Sequence, residues 1–276
     1  MNTIPLAFET NGWSRIDISP SALDPVSTEC TALGITQTDY DLAPHAPGFS
    51  EYVRAPEYAG EYRAYGGPLE HCFLEKALEH YIGFQIIQPR TGEVGIDIGS
   101  CRSVAPGLAE RLYGVTCYTQ DLEYPAGVHG KCIGSNADDI PLPDESVDFM
   151  CLHCTFEHFE RQADTGFVRE VARLLRPGGR VVILPLYLNR NYCNITGETD
   201  PASRASIGFD TEATHHCIIP EWANRFGRHY SPSALLRRVW EPALKAGLTP
   251  NLLRVHNWEA IHRDLWLRWI LVLRQL

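Results

Sequence analysis

A mostly parallel α/β fold is what this sequence predicts, and three observations predict it. Between Glu93 and Leu184, short apolar runs alternate with amphipathic stretches of helical spacing, the pattern of strands joined by helical crossovers. The first run ends in a turn of small residues that opens a helix. Two further apolar runs near the C-terminus are joined without room for a crossover helix, so they should pair antiparallel. The expected architecture is a seven-stranded, mostly parallel sheet with an antiparallel last strand and helices on both faces.

Taken in order, residues 1–67 stand apart. They carry Pro5, Pro20, Pro25, Pro44, Pro47 and Pro56 with weak periodicity, then a tyrosine-rich stretch at 51–65. Its aromatic content is too high for a solvated tail, so the segment reads as an ordered extension or lid. Pro68 suits the first turn of a helix, and Leu69, Phe73, Leu74, Ala77, Leu78 and Tyr81 continue at helical spacing. Strands are predicted at Val94–Ile98, Val115–Thr119, Val147–Leu152 and Arg180–Leu184, with a weak one at Lys131–Ile133. Helices are predicted at Pro106–Tyr113, Gly166–Leu175 and Pro232–Ala246. Arg176-Pro177-Gly178-Gly179 reads as a helix stop that releases the chain into the next strand. Leu252–His256 and Trp266–Leu273 form the terminal strand pair. Residues 186–230 lack clear periodicity, and a loop of that length in a compact domain is usually a functional cover. The division expected is therefore a 1–67 extension and a 68–276 domain with 186–230 inserted over the substrate.

Composition narrows the function classes. Hydrophobic residues make up 44% and charged ones 21% of the 276, which excludes disorder, collagen and coiled coil for the chain as a whole. With 24 basic and 34 acidic residues the net charge is −10, which argues against nucleic-acid coating. The charge is polarised: residues 1–160 hold 8 basic and 24 acidic side chains, and the remainder hold the other 16 and 10. That asymmetry serves either neutralisation between packed halves or attraction of an anionic substrate. No apolar run approaches the roughly 18 residues of a membrane span, and Met1–Thr10 does not look like a secretory signal. Nine cysteines without framework spacing read as reduced thiols of a cytoplasmic protein.

Three motifs carry the chemistry. The first strand runs into Gly95-Ile96-Asp97-Ile98-Gly99-Ser100-Cys101-Arg102-Ser103, where small residues let a ligand approach the backbone and a helix N-terminus adds donors. The second strand ends at Asp121, 24 positions beyond Asp97, near the spacing at which a carboxylate accepts both ribose hydroxyls. The third motif is Ser135-Asn136-Ala137-Asp138-Asp139-Ile140-Pro141-Leu142-Pro143-Asp144, followed by Leu152-His153-Cys154-Thr155-Phe156-Glu157-His158 and by Leu174-Leu175-Arg176-Pro177-Gly178-Gly179-Arg180-Val181-Val182-Ile183.

This series resembles the class I S-adenosylmethionine-dependent methyltransferases, specifically their small-molecule group, well over 68–185 and loosely at the terminal strand pair. The resemblance implies a Rossmann-like fold, S-adenosylmethionine as methyl donor and S-adenosylhomocysteine as product. It implies that Asp97, Gly99 and Ser100 lie beneath the methionine part of the cofactor and that Asp121 holds the ribose with Leu122 beside it. Asn136, standing where the family usually has Asp, would accept from the adenine amine through its carbonyl. The backbone amide of Ala137, next to Asp138, would donate to the ring. His153 emerges at the carboxyl end of the fourth strand and would face the cofactor. Cys101 and Ser103 depart from the family, replacing glycines of its loop.

The implied partner is a small-molecule acceptor, without nucleic acid or membrane, and an oxygen acceptor needs its proton removed. His153 and His158 are the candidate bases, since neutral histidine titrates near pH 7; a structural role is equally open for His158. Acceptor contacts are expected from Tyr62, Arg63, Tyr65, His215, His216 and Arg228, in the two segments without family motifs. His215-His216-Cys217 lacks zinc spacing, so no metal is expected. Cys151-Leu152-His153-Cys154 is a lone C-x-x-C whose first cysteine falls in a buried strand, a poor redox site. The style of Asp97–Ser103 is shared with methyltransferases of surface-polysaccharide pathways, so saccharides and secondary metabolites are the expected acceptors. Two other readings stay open here: a non-catalytic cofactor-binding or scaffold protein with a drifted glycine loop, and a nicotinamide-dependent oxidoreductase. The missing dinucleotide glycines and the terminal strand pair oppose the oxidoreductase.

Overall fold

A computed structural model describes residues 9–10, 20–59, 70–217 and 224–276. In chain order the strands are β1 (Glu9–Thr10), β2 (Gln37–Asp41), β3 (Val94–Ile98), β4 (Thr116–His129), β5 (Cys132–Gly134) and β6 (Val147–His153), then β7 (Leu175–Leu184), β8 (Cys193–Thr196), β9 (Thr214–Cys217), β10 (Gly227–His229), β11 (Leu248–His256) and β12 (Trp269–Gln275). The helices are α1 (Pro20–Ala32), α2 (Ala46–Tyr52), α3 (Glu70–Ile87), α4 (Ala105–Tyr113), α5 (Ala163–Leu174) and α6 (Pro201–Ala205). They are followed by α7 (Pro232–Leu235) and α8 (Glu241–Lys245), joined through a π turn at Leu236–Trp240.

The main sheet has the strand order β2-β11-β12-β7-β6-β3-β4-β5. The five strands β3 to β7 run parallel and β12 is antiparallel to both its neighbours, as the apolar pattern predicts. Strands buried on both faces need apolar side chains throughout, and Phe149, Met150 and Leu152 of β6 are all fully buried. The sheet has eight strands rather than seven. The eighth, β2, comes from the extension and lies parallel to β11, while Leu23, Val26 and Cys30 of α1 join the same core. Residues 20–58 thus pack as part of the body on the 68–276 side. The start of α3 at Pro68 and Leu69 lies outside the described residues.

Two elements differ from their predicted form. Arg176-Pro177-Gly178-Gly179 does not stop a helix before a strand: β7 already begins at Leu175, opposite Val147, and these four residues bulge out before pairing resumes at Arg180. Proline, which lacks a ladder donor, and Gly178 at φ +80° both suit such a bulge. Strand β4 runs far beyond Thr119. It folds back so that Asp121 and then Ala126 both face Gly134, and its returning arm replaces a crossover helix. A Cβ on Gly134 would lie 2.0 Å from the Pro125 carbonyl oxygen, so this crossing requires glycine.

The stretch without periodicity supplies three strands of a second sheet, of order β1-β9-β8-β10, whose first strand comes from the extension. Its strands have two to four residues, too short to show a period. Arg228 of β10 is fully buried at its centre. It donates to Asp210 at 2.9 Å and to the carbonyls of Phe159 and Arg161 at 2.6 and 2.9 Å, and pairs with Asp164 at 3.1 Å. Asp164 also receives the Tyr230 hydroxyl and both Nε and Nη2 of Arg238, all at 2.8 Å. This network fixes the second sheet to the segment that follows β6.

Candidate active site

The carboxyl ends of β3 and β6 and the middle of β4 at Glu123 converge on a cavity of about 880 Å³, within the usual range of small-molecule sites. One wall is the turn from Asp97 to Val104 between β3 and α4. Ser100 Oγ donates to the Asp97 carbonyl at 2.7 Å, and the Ser103 amide donates to the Ser100 carbonyl at 2.9 Å, so the turn closes on itself. Gly99 sits at φ +64°, and a Cβ there would stand 2.3 Å from Thr155 Cγ2 in the loop after β6. Glycine is thus required where the two loops touch. Arg102 takes a left-handed conformation (φ +68°) that costs a non-glycine residue about 1–2 kcal/mol.

The opposite wall comes from α3 and the extension: Lys76, His80, Glu57 and Ala59 line the cavity with His153 and Cys154. Asp97 and His153 are both buried, and His153 Nδ1 donates to Asp97 Oδ1 at 2.9 Å. His153 Nε2 is buried without a partner, on the Gly83 side of α3, where an added Cβ would meet it at 3.0 Å. The ring is therefore clamped between the cofactor turn and α3. One ring nitrogen is taken by Asp97 and the other faces a helix backbone. His158 is half-exposed on the far side of the Thr155 loop, with Nδ1 on the Phe226 carbonyl at 2.5 Å and Nε2 3.6 Å from Glu157. It does not line the cavity.

His80 lines it beside His153. Its ring stands edge-on to His153 at 4.7 Å, and its Nδ1 meets the Tyr58 hydroxyl at 2.8 Å. Burial, with the charges of His153 and Lys76, pushes its pKa well below the usual 6.5, so the ring is neutral at pH 7. Behind it, burial and Glu79 lift the Glu75 carboxyl to about 8. Burial and Glu79 likewise raise the Cys154 thiol well above 9, and it donates to Glu79 Oε1 at 3.0 Å. Cys151 is raised the same way, chiefly by burial, so neither cysteine of the C-x-x-C is a thiolate.

The cofactor candidates divide. Asp97, Gly99, Ser100 and His153 line the cavity. Asp121 does not: its Oδ2 accepts from the Cys101 amide at 2.9 Å and its Oδ1 from the Glu123 amide at 3.0 Å. Glu123 lines the cavity in its stead. Leu122 is 72% exposed beside it. Asn136, Ala137 and Asp138 form the turn after β5, outside the cavity walls, with Ala137 buried and Asp138 packed on Gly166 of α5. Of the acceptor candidates, Tyr62, Arg63 and Tyr65 lie outside the described residues. His215, His216 and Arg228 belong to the second sheet and do not line the cavity. Arg228 is a buried strut, and His215 Nε2 bonds the Asp210 carbonyl at 2.9 Å. Residues missed by sequence reasoning are Glu57, Lys76, His80 and Glu123. For Glu123 a signal existed, since strand alternation puts residues 121 and 123 on one face.

The cradle fits S-adenosylmethionine by its own features: a glycine that cannot carry a Cβ, a closed amide-rich turn opening a helix, and acidic side chains at the next strand end. That cofactor supplies a sulfonium-bound methyl group for transfer to a nucleophile. Residues 95–183 match the family model for a methyltransferase domain. A comparison with curated proteins finds no match. Among solved structures, the chain is similar to geranyl diphosphate C-methyltransferase from Streptomyces coelicolor, in complex with Mg2+, geranyl diphosphate and S-adenosyl-L-homocysteine (14% identity, 82% of this chain and 87% of that one, TM-score 0.44). It is also similar to 1,6-didemethyltoxoflavin-N1-methyltransferase from Burkholderia thailandensis (15%, 83% and 90%, 0.45). A phosphoethanolamine N-methyltransferase 2 of Haemonchus contortus is matched over 74% of this chain but 45% of that one (15%, 0.41). Residues 95–183 thus match a methyltransferase domain, and the strand order and cofactor turn are those expected of that fold. Among the described residues no helix is long and apolar enough to cross a membrane, and no cluster of His, Cys, Asp or Glu is arranged for a metal.

Proposed function

We propose that the chain transfers the methyl group to an oxygen of a small polar acceptor, a saccharide unit or secondary metabolite. The observation that carries this reading is the polar inner wall. Lys76, His80 and Cys154 face the cavity beside the cofactor turn, a polar wall that an apolar acceptor would desolvate without offering it hydrogen bonds. A hydroxyl nucleophile finds hydrogen-bonding groups there, and in-line positioning supplies much of the rate. Asp97, Gly99 and Ser100 take the methionine end, the carboxyl end of β4 takes the ribose, and Asn136 and Ala137 take the adenine with Leu122 and Asp138 adjoining. Glu57 and Ala59 line the acceptor side. The nine free cysteines support a cytoplasmic setting. Calorimetric titration with S-adenosylmethionine and S-adenosylhomocysteine tests the cofactor, and absence of binding would sink the reading. Transfer of a labelled methyl group to hydroxyl-bearing acceptors, against matched amines, tests the acceptor atom.

A further inference from the structure

At the end of the sheet opposite the cofactor cavity, a second cavity of about 240 Å³ opens between the end of α3 and the bulge of β7. Arg90, Arg180 and Arg274 line it together with Glu93, Asp148 and Gly178. Arg180 is buried and spends all five of its N–H donors. Its Nε donates to the Ile87 carbonyl at 2.8 Å, and its two terminal nitrogens grip Glu93 at 2.9 and 2.8 Å. The remaining donors go to the carbonyls of Asp148 at 3.3 Å and Gln88 at 2.9 Å. Glu93 also accepts from the Arg90 amide at 2.9 Å. Burial opposes its charge, yet Arg180 and Arg90 hold its carboxyl below the usual 4.5. Asp148 accepts from the Val94 amide at 2.7 Å and from Arg176 at 2.6 Å. Both carboxylates are therefore engaged already.

The guanidiniums of Arg90 and Arg274 are not. Both are exposed at the rim, and among the described residues neither has a hydrogen-bond or ion-pair partner. Arg274 of β12 stands directly opposite Arg180 of β7 in the antiparallel register, where like charges repel. With Arg176, four guanidiniums surround two carboxylates in a chain whose net charge is −10. We propose that this cavity binds a phosphate group, held by the forks of Arg90 and Arg274 over the fixed charge of Arg180. The surplus positive charge suits a phosphate dianion, and a planar fork meets two of its oxygens at once. The bulge contributes backbone that does not pair with β6, and at Gly178 even an added Cβ would meet nothing within 4 Å. The Arg176–Gly179 motif thus supplies one wall of an anion site.

The test is calorimetry of the full chain with inorganic phosphate and with glycerol 3-phosphate, near neutral pH at fixed ionic strength, with chloride as the control anion. Wild type should bind phosphate and not chloride. Arg90→Gln and Arg274→Gln should each weaken phosphate about tenfold to a hundredfold. Arg237→Gln, which removes an exposed guanidinium elsewhere, should leave it unchanged. Tighter binding of the free ion identifies inorganic phosphate as the ligand, and tighter binding of the ester a phosphorylated small molecule. Absence of phosphate binding at millimolar concentration, or binding that either cavity variant leaves at wild-type strength, overturns the proposal. The substituted side chains are exposed, and circular dichroism melts confirm that each variant is folded.

Discussion

Between Val94 and Leu184 the chain is held by apolar burial: Ile96, Phe149, Leu152, Val182 and Ile183 are all fully buried, each contributing about 1.5–3 kcal/mol. The second sheet is centred on a guanidinium instead, with Arg228, Arg238, Asp164 and Asp210 in one buried network. Around Asp210 burial opposes the charged carboxylate, yet Arg228, Tyr192 and Arg238 outweigh it and hold the pKa below 3.8. The first region tolerates imperfect partners because dispersion and desolvation are non-directional. The second depends on geometry, because each charge left without its partner keeps its full desolvation cost.

The sharpest way to break this contrast is Arg228→Met. It removes one charged partner from each of Asp210 and Asp164 and leaves the Phe159 and Arg161 carbonyls without their donor, and should destabilise the protein by about 3–5 kcal/mol in thermal melts. Arg228→Lys should rescue little, since an ammonium cannot reproduce the planar fork that reaches two carboxylates and two carbonyls. An unchanged melting temperature in the Met variant would show the second sheet to be held like the first. In the apolar region, Gly95→Ala places a methyl 2.1 Å from the Phe149 ring and should cost about 1–3 kcal/mol by overpacking. Adding Phe149→Leu to that variant should recover part of the loss, and strictly additive losses would argue against the clash.

Smaller still is a pH effect in the second sheet. Burial, with a contribution from His216, lowers the His229 pKa to about 3. The unfolded chain takes up a proton below about 6.5 and the folded chain does not, so wild type loses stability as pH falls from 6.5 toward 3. At pH 5 the loss is about 2 kcal/mol. His229→Phe should flatten denaturant-derived stability between pH 7 and pH 5, and a slope equal to wild type would acquit the histidine. The smallest effect belongs to Arg237→Ala. Its pair with Glu212 is more than half exposed on both sides, so stability should move by no more than about 0.5 kcal/mol.

The same contrast decides what was legible in the sequence. Strand β3 was readable to the residue, and β6, β7, β11 and β12 to within a few, because double-sided burial forces apolar runs. Strand β2 escaped notice because an edge strand made only of half-exposed and exposed residues needs no such run. Strands β8 to β10 carry Asn194, His215 and Arg228 inward, and Asn194 and Arg228 find partners 16 or more residues away, which no local pattern announces. In the site, the turn at Asp97–Ser103 was legible because its backbone requires small residues at fixed places. His80 was not, since a histidine inside a helix looks like any other until the fold turns it toward a cavity. His153 was placed correctly on the fourth strand, but its direction was set by Asp97 and Gly83, two contacts that spacing cannot reveal.

Strand β2 also has a bearing on self-association. The open margin of a sheet is a template on which a second chain can build, with exposed backbone groups as the invitation. Here that margin is only five residues long and bears Asp39 and Asp41, which are engaged by His256 and Asn257 at 2.8 Å. Without it, the longer and more apolar β11 would be the outermost strand. The extension therefore serves as a guard against edge-to-edge aggregation, a service independent of any part its later residues play in catalysis.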